Sequence, residues 1–378
     1  MKIAFLTPEY PHPRLGAAGG IGTGIFNLCN GLIAEGHEPV ILVYGQDRDE
    51  YFEEAGIHFY RIRNVRFRGI SWLLTRKKLQ RLIDSLHAKK IIDIVEAPDW
   101  TGISAFIDTR CPIVVRLNGS DAYFCHLDNR KAGRFNSFLE KTALIQANGL
   151  ISVSEFTART TNTVFGLDLR FEIIPNAVEP AKFVPLQYPP DPNTILYFGT
   201  LIRKKGLLEL PLIFNEVIER IPTAKLILAG RDAGDVLTGT SSTWDLMKPL
   251  FSQRALANVS YIGPVAYHLV AGLVARASVC VFPTFAEALP LSWLEAMAME
   301  KAVVASNVGW APEIIEDGTS GFLAHPSDHK RFAAKISALL EDEKLRLETG
   351  RGARARILEH FDNRQAARRS VEFYSRFI

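Results

Sequence analysis

The sequence has few cysteines and no long apolar run. Its four cysteines are scattered, with no C-x-x-C pair and no histidine at metal-ligand spacing: Cys29, Cys111, Cys125 and Cys280. This distribution predicts buried, reduced thiols and argues against a disulfide framework or a zinc site. The longest apolar runs have the length of a strand, so no segment is predicted to span a bilayer. At the N-terminus, Lys2–Leu6 is followed at once by Thr7-Pro8-Glu9, which leaves no room for a signal peptide, and we expect a cytoplasmic protein.

A large excess of charge of one sign is also missing. The 378 residues carry a net charge of +3, which is too small to indicate binding of nucleic acid. A hydrophobic content of 47% with 22% charged residues is typical of a globular protein. The length is too great for one ordinary core and predicts two domains of roughly 180 residues each.

Strands and helices are predicted to alternate. Residues 2–6 begin the series, and further apolar runs follow at 40–44, 58–62, 91–95, 113–117, 150–153 and 171–174. Helical segments between such runs favour a parallel sheet covered on both faces, which binds ligands at the C-terminal ends of its strands. The proline-rich segment 180–192 is the expected hinge, and the alternation restarts at 195–198.

A glycine-rich turn follows the first strand. Residues 16–24 read G-A-A-G-G-I-G-T-G, and we expect them to precede a helix that ends at Gly36. Glycines at this position let a ligand approach backbone N–H groups, although a simple tight turn explains them equally well. The lysine of a P-loop is absent, and the spacing differs from the G-x-G-x-x-G pattern, which disfavours a nicotinamide-dependent oxidoreductase.

Charged groups are clustered at three further places. Residues 61–90 contain ten cations and one acid among apolar residues, which predicts a basic amphipathic helix that is either an ordinary solvated face or a contact for anionic lipid or acceptor. The turn 199–206 carries Arg203, Lys204 and Lys205, which could clamp a diphosphate without metal or could simply be solvated. Polar side chains, including Asn118, follow the strand at 113–117, where a capping turn is equally common.

Two carboxylates flank one strand-to-helix corner. The strand at 279–282 ends at Pro283, Glu287 lies in the turn, and Glu295 lies in a helix predicted to begin near Leu291. Eight helical residues would span about 12 Å, roughly the distance from a ribose to the sugar beyond its diphosphate. The N–H groups at the helix start can face phosphates, so one ligand could contact both acids. Two such acids alone are also consistent with a solvated helix start.

Together these motifs resemble glycosyltransferase family 4. The pattern strand-Pro-Thr-x-x-Glu-x7-Glu-Ala-Met-Ala at 279–298, the strand at 302–306, Gly309 and Pro312-Glu313 are similar to the donor-site signature of that family. The resemblance implies retaining enzymes with the α/β GT-B fold, in which two Rossmann-like domains face each other across a cleft. The implied acceptor-side domain is 1–182, with a C-terminal helix at 361–378 that crosses back onto it. The implied donor-binding domain is 183–360.

The resemblance also implies roles for individual residues. Glu295 would hold the ribose hydroxyls, Glu287 would contact the donor sugar, and Lys205 with Arg203 would neutralise the diphosphate. The remaining donor-side residues are implied from the matching turns: Gly20, Gly22, Gly199, Arg231, Val265, Ala288, Leu289, Pro290 and Leu291.

Two positions depart from the family pattern. Asn118 stands where a histidine is usual, and an amide cannot titrate near neutral pH, so a role in proton transfer is in doubt. His126 is a candidate replacement, although a lone histidine is more often structural. Thr200 stands where an arginine is usual, and Arg203 or Lys204 would have to supply that charge.

The expected function is transfer of a sugar from a UDP- or GDP-linked donor to a hydroxyl acceptor, with retention and without metal or cofactor. The expected acceptor is a glycan, a lipid-linked precursor or a cell-surface polysaccharide precursor, reached in the cytoplasm or at the inner face of the membrane through 61–90. The alternatives are a non-catalytic sugar-nucleotide binding protein and another GT-B enzyme such as a nucleotide-sugar epimerase or a phosphorylase. The D-x-D at Asp47-Arg48-Asp49 lacks the context of a metal-dependent transferase.

Overall fold

The computed structural model describes residues 1–16, 18–185 and 190–378. Ala17 of the glycine-rich turn and residues 186–189 of the expected hinge lie outside the described residues. The chain divides into two compact units. Unit 1 contains Met1–Glu179 and Asp362–Ile378, and unit 2 contains Pro180–Phe361.

Unit 1 is an eight-stranded sheet with helices. Its strands are β1 (Lys2–Thr7), β2 (Glu38–Gln46), β3 (Glu50–Glu54), β4 (Ile57–Arg63), β5 (Ile94–Pro98), β6 (Ile113–Leu117), β7 (Gly149–Ser152) and β8 (Glu172–Ile173). Its first five helices are α1 (Gly20–Ala34), α2 (Ser71–Ala88), α3 (Asp121–Leu127), α4 (Arg134–Gln146) and α5 (Glu155–Phe165). The strand order is β3-β4-β2-β1-β5-β6-β7-β8.

The prediction of a wholly parallel sheet is wrong at one edge. Strand β3, which was not predicted from the sequence, pairs antiparallel with β4. The two strands are joined by Ala55 and Gly56, whose φ angles are 50° and 75°. A two-residue loop with both φ angles positive forms a hairpin, and a hairpin makes its strands antiparallel.

The central strands of unit 1 are buried on both faces. In β1, Ile3 and Phe5 belong to one apolar cluster, whereas Ala4 and Leu6 belong to another. Successive side chains of a strand point to opposite faces, so helices must cover both sides. This arrangement brings the C-terminal ends of β5 and β6, with the polar residues that follow them, to one edge of the sheet.

Unit 2 is a six-stranded, wholly parallel sheet with helices. Its strands are β9 (Thr194–Phe198), β10 (Lys225–Ala229), β11 (Val259–Tyr261), β12 (Val279–Phe282), β13 (Ala302–Ser306) and β14 (Phe322–Ala324), in the order β11-β10-β9-β12-β13-β14. Its helices are α6 (Leu210–Arg220), α7 (Thr243–Met247), α8 (Gln253–Leu256), α9 (Tyr267–Arg276), α10 (Leu291–Ala298), α11 (Ala311–Ile314), α12 (His329–Glu341) and α13 (Glu343–His360).

The last helix, α14 (Asn363–Tyr374), belongs to unit 1. The Asn363 amide donates to the Asn27 carbonyl of α1 at 3.0 Å. A Cβ atom on Gly31 of α1 would lie 2.3 Å from the Asn363 carbonyl oxygen, so a glycine is needed for this close approach. Among the described residues, no helix is both long and apolar enough to cross a membrane.

Candidate functional site

The cation turn of unit 2 is held against the end of β12. It forms a 3-10 turn over Arg203–Lys205 and closes at Gly206, whose φ is 72°. A Cβ atom on Gly206 would lie 1.7 Å from the Pro283 carbonyl oxygen, so no larger residue fits. The Phe285 N–H donates to the Lys204 carbonyl at 2.8 Å. These contacts place the cations beside the corner that carries Glu287.

Lys205 and Glu287 form an ion pair at this corner. The Lys205 Nζ atom lies 2.9 Å from the Glu287 Oε1 atom, and both side chains are partly exposed. Burial acts to raise the pKa of Glu287, but the charges of Lys205 and Lys204 outweigh it and hold that pKa below its usual value. Glu287 is therefore ionised at neutral pH.

Glu295 is the buried member of the two-carboxylate motif. It lies in α10 and is 5% exposed. Burial raises its pKa to about 7, against the opposing effects of the Tyr267 hydroxyl and the Lys205 charge. The two glutamates of the motif thus differ in protonation near neutral pH, because only Glu287 has a cation in direct contact.

Arg203 lies in the cation turn but is already paired. Its guanidinium donates to both carboxylate oxygens of Asp235, at 2.7 and 2.8 Å. This bidentate contact holds the pKa of Asp235 well below its usual value. Asp235 lies in the segment between β10 and α7. The structure brings Lys204, rather than Arg203, to act on Glu287.

The other donor-side candidates that belong to unit 2 lie at the same edge of its sheet. Gly199 follows β9, and its N–H donates to the Ala229 carbonyl at the end of β10 at 2.9 Å. Arg231 follows β10, and its carbonyl accepts from the Leu201 N–H at 2.8 Å. Val265 lies between β11 and α9. The hydroxyl of Tyr197, in β9, donates to the Thr200 carbonyl at 3.0 Å, so Thr200 contributes its backbone to this edge.

The segment Ala288–Leu291 leads into α10. Ala288 and Leu289 are buried, and Pro290 is the residue directly before the helix. Proline has no N–H, so any amide donors to a phosphate here come from the other three residues. The predicted start of this helix, Leu291, is confirmed.

The glycine-rich turn of unit 1 differs from the expectation. Helix α1 begins at Gly20, so Gly20 and Gly22 lie inside its first turns rather than in a loop before it. The Gly22 N–H donates to the Glu9 Oε1 atom at 3.0 Å. A carboxylate at a helix N-terminus satisfies free N–H groups and is favoured by the helix dipole. Glu9 therefore accepts a hydrogen bond from one of the N–H groups that were expected to face a ligand. Sequence reasoning missed Glu9 because it lies 13 positions before Gly22.

Asn118 lines a small, solvent-open pocket in unit 1, which we call the cavity, together with Gly24, Ile25, Leu28, Glu96, Arg116, Pro175, Asn176, Ala177 and Ala366. The Asn118 N–H donates to the Asp99 Oδ1 atom at 2.8 Å. Burial raises the pKa of Asp99 to about 7, with the Asn118 N–H opposing that shift. The cavity thus has an amide on its wall and a buried carboxyl behind it.

The floor of this cavity is a closed polar network. The Arg116 Nε atom donates to Glu96 at 2.8 Å, and its other nitrogens donate to the Ile174 carbonyl and the Ser370 hydroxyl. The Tyr374 hydroxyl donates to the second oxygen of Glu96. Because Ser370 and Tyr374 lie in α14, the network joins that helix to the sheet.

Two other sequence candidates lie elsewhere. His126 is exposed in the last turn of α3 and is not among the residues lining the cavity. The carboxylates of the D-x-D letters form ion pairs, Asp47 with Arg61 and Asp49 with Lys78. Among the described residues, no cluster of three histidine, cysteine or acidic side chains is arranged to hold a metal ion.

Two family models match the chain and together extend over most of it. The model for glycosyl transferases group 1 matches residues 178–356, and the model for glycosyltransferase family 4 matches residues 18–182. An uncharacterized glycosyltransferase of Methanocaldococcus jannaschii is 26% identical over 99% of this chain and 98% of its own. A glycogen synthase of Mycobacterium tuberculosis is 24% identical over 99% of this chain and 94% of its own.

Solved structures share the fold. Sucrose-phosphate synthase of Thermosynechococcus elongatus superposes with a TM-score of 0.80, at 20% identity, over 99% of this chain and 98% of its own. The Anabaena protein HepE, solved with UDP-glucose, superposes with a TM-score of 0.73, at 19% identity, over the whole of both chains. The expected α/β fold of the GT-B type is confirmed.

Proposed function

Because the chain belongs to the group 1 and family 4 glycosyltransferases, we propose that it moves a sugar from a nucleoside diphosphate sugar to a hydroxyl acceptor with retention. The observation that carries the proposal is the corner of unit 2, where the partly exposed Lys205–Glu287 pair lies beside the buried carboxyl of Glu295. A cation and two acids of different protonation suit a ligand that carries phosphates at one point and hydroxyls at two others.

The proposed roles follow from these differences. Lys205, with Lys204 nearby, stabilises the departing diphosphate, because a fixed cation is worth most where negative charge develops. Glu287 is ionised and accepts hydrogen bonds from the donor sugar. Glu295 accepts them from the ribose, and Arg231 and Val265 flank the base. Arg203 acts indirectly, by holding Asp235 and the segment behind it.

The acceptor is proposed to bind the cavity of unit 1. Asn118 can orient a hydroxyl but cannot take its proton near neutral pH. The bond from the sugar to the diphosphate breaks as the bond to the acceptor oxygen forms on the same face, and we assign the acceptor's proton to the departing phosphate oxygen. Since the relatives include a glycogen synthase, a growing glycan or polysaccharide precursor is the proposed acceptor class.

The donor is proposed to be a UDP-sugar, because HepE was solved with UDP-glucose, with a GDP-sugar as the second choice. The test is thermal unfolding with UDP, GDP, ADP and their glucose or mannose conjugates, each with and without magnesium. A ligand at about 100 times its dissociation constant adds roughly 2.7 kcal/mol to the free energy of unfolding. We expect a rise in the melting temperature with UDP compounds that does not need magnesium.

A matched pair of variants makes this test specific. Glu295→Gln should reduce the rise, whereas Glu219→Gln, at an exposed site on α6, should keep it. The absence of a rise with every nucleotide would contradict the donor site. A rise without product from any acceptor would favour the non-catalytic binding protein, for which Asn118 and Thr200 are the motivating positions. The anomeric configuration of a product, measured by proton NMR, tests retention.

A further inference from the structure

Unit 1 carries a group of aromatic side chains at its surface that the proposed reaction does not use. The Trp72 ring in α2 lies 5.8 Å from Phe106 and 5.3 Å from Phe135 in α4, measured between centroids. Phe106 lies 6.0 Å from Phe138. Phe135 and Phe138 are 50% and 53% exposed. We call Trp72, Phe106, Phe135 and Phe138 the aromatic patch. Contiguous exposed apolar surface of this kind marks an interaction site.

The phenylalanines of the aromatic patch give α4 a second apolar face. Leu139, Ala143 and Leu144 form the buried face of this helix. Phe135, Phe138 and the exposed Ile145 lie three and seven positions apart and so form a stripe beside that face. A helix that needed only to cover the sheet would carry polar residues along this stripe.

Exposed cations border the patch on both sides. Phe67 and Ile70 are exposed in the turn before α2, between Arg66, Arg68 and the Trp72 ring. The Ser71 hydroxyl hydrogen-bonds to the backbone of Phe67 and holds this turn. On the α4 side, Lys131 and Arg134 are exposed. Residues 64–72 and 129–139 contain no acid, and of the two acids that flank the patch in sequence, Asp108 and Asp128, the second is paired with Arg130.

The rest of the basic segment 61–90 is partly committed to the fold. The buried Arg76 donates to the carbonyls of Trp72 and Gly102 at 3.0 and 2.8 Å. Lys78 is paired with Asp49 at 2.6 Å, and Arg61 is paired with Asp47. Of the cations in the candidate membrane contact 61–90, these three are therefore bound within the protein.

We propose that the aromatic patch and its bordering cations dock the protein onto an anionic lipid surface. Aromatic side chains partition to the boundary between headgroups and acyl chains, and cations beside them are attracted to acidic headgroups. A patch that combines both, with more cations than acids around it, is complementary to that surface. This inference goes beyond the proposed reaction and does not depend on it.

The test is co-sedimentation of the full chain with vesicles of phosphatidylcholine alone or with phosphatidylglycerol, at low salt. We expect binding only to the vesicles that contain phosphatidylglycerol. The double variant Phe135→Ser with Phe138→Ser should abolish this binding. The control Val236→Ser with Leu237→Ser, which removes two exposed apolar side chains from unit 2, should retain it.

A second pair of variants tests the position of the cations. Arg66→Ser with Arg68→Ser should lower the vesicle partition coefficient by about 30-fold, whereas Arg81→Ser with Lys89→Ser, exposed at the other end of the segment, should change it little. The melting temperature of the phenylalanine double variant shows whether it folds. If it does not fold, the comparison of the two cation double variants tests the proposal in its place.

Three outcomes would overturn the proposal. The first is that the wild-type chain ignores phosphatidylglycerol vesicles at low salt. The second is that Arg81→Ser with Lys89→Ser abolishes binding while the patch variants keep it. The third is a concentration-dependent dimer that is lost in Phe135→Ser with Phe138→Ser and binds no vesicles, which would assign the patch to a second copy of the chain. Because these assays contain no nucleotide, failure of the reaction proposal would not affect them.

Discussion

Each unit has an ion pair at its candidate site, and the two pairs differ in how far their side chains are exposed to solvent. In unit 1, the side chains of Arg116 and Glu96 are 7% and 4% exposed, and both have further partners. In unit 2, the side chains of Lys205 and Glu287 are 23% and 17% exposed. A buried pair with several further partners chiefly supports the fold. A pair that water reaches can exchange one partner for a ligand at lower cost.

The two ion pairs are expected to affect different properties, stability in unit 1 and catalysis in unit 2. Removing one partner of a buried pair leaves an uncompensated charge, whereas breaking a partly exposed pair returns both groups to water. The network of unit 1 should therefore be sensitive in unfolding experiments, and the pair of unit 2 should be sensitive in kinetic ones. One variant in each pair tests this difference, and a third variant tests the buried carboxyl of Glu295 beside the second pair.

The largest expected effect is on the unfolding of Arg116→Met. The substitution leaves Glu96 buried without its cation and removes the link to Ser370 of α14, and we expect a loss of about 3–5 kcal/mol in the free energy of unfolding. Urea denaturation measures it. Arg110→Met, at an exposed site of the same unit, is the control and should change little. A loss no greater than that of the control would mean that the network is not the structural element proposed here.

Lys205→Met should lower turnover strongly and stability little, which is the opposite of the effect expected for Arg116→Met. We expect turnover to fall by roughly 10²–10³-fold, because a preorganised cation at the leaving group is lost. The free energy of unfolding should change by less than about 1 kcal/mol. Arg203→Met is the matched control from the same turn and should retain most of the turnover, since Arg203 is paired with Asp235. Near-normal turnover of Lys205→Met would remove Lys205 from the mechanism. It would also contradict the assignment of the unit 2 pair to catalysis.

The smallest expected effect is the pH dependence contributed by Glu295, whose pKa is raised to about 7. Only the ionised form accepts hydrogen bonds at both oxygens, so donor affinity should rise with pH through 7. Stability should change in the other direction. The folded state binds the proton more tightly than the unfolded state, so this contribution is complete below about pH 4 and is lost as pH rises through 7.

The variant Glu295→Gln isolates the contribution of the Glu295 carboxyl to the pH dependence of donor affinity and stability. The variant should show donor affinity that varies less with pH, measured by calorimetric titration between pH 5.5 and 8.5. The difference in stability between wild type and variant should also change across this window, while the similar contribution of Asp99 is present in both and cancels. Equal pH dependence in the two proteins would place the titrating group elsewhere.

Much of the fold was predictable because its signals are local. The strands predicted at 113–117, 279–282 and 302–306 are confirmed as β6, β12 and β13, since a buried parallel strand is a short run of apolar residues that ends at a turn. Strand β3 was missed because E-Y-F-E-E is mostly polar and lies at an edge, and its Ala55-Gly56 turn was the available signal.

The candidate site was predictable only in part. The residue types around Lys205 and Glu287 stand in a recognisable order along the chain. The partner of Arg203 is 32 positions away, and Glu9 reaches the start of α1 from the preceding loop. No spacing rule links such pairs, because the turns between them determine which side chains meet.

The sequence by itself determined two α/β units, the cation turn and the two-carboxylate corner, because each depends on residues near one another in the chain. The tertiary structure alone decided which cation neutralises which acid, and it separated Glu287 from Glu295 by their protonation. The physical reason is that burial and charge pairing set a pKa through neighbours that are distant in sequence. The aromatic patch has the same origin, since α2 and α4 contribute its rings from positions more than 60 residues apart.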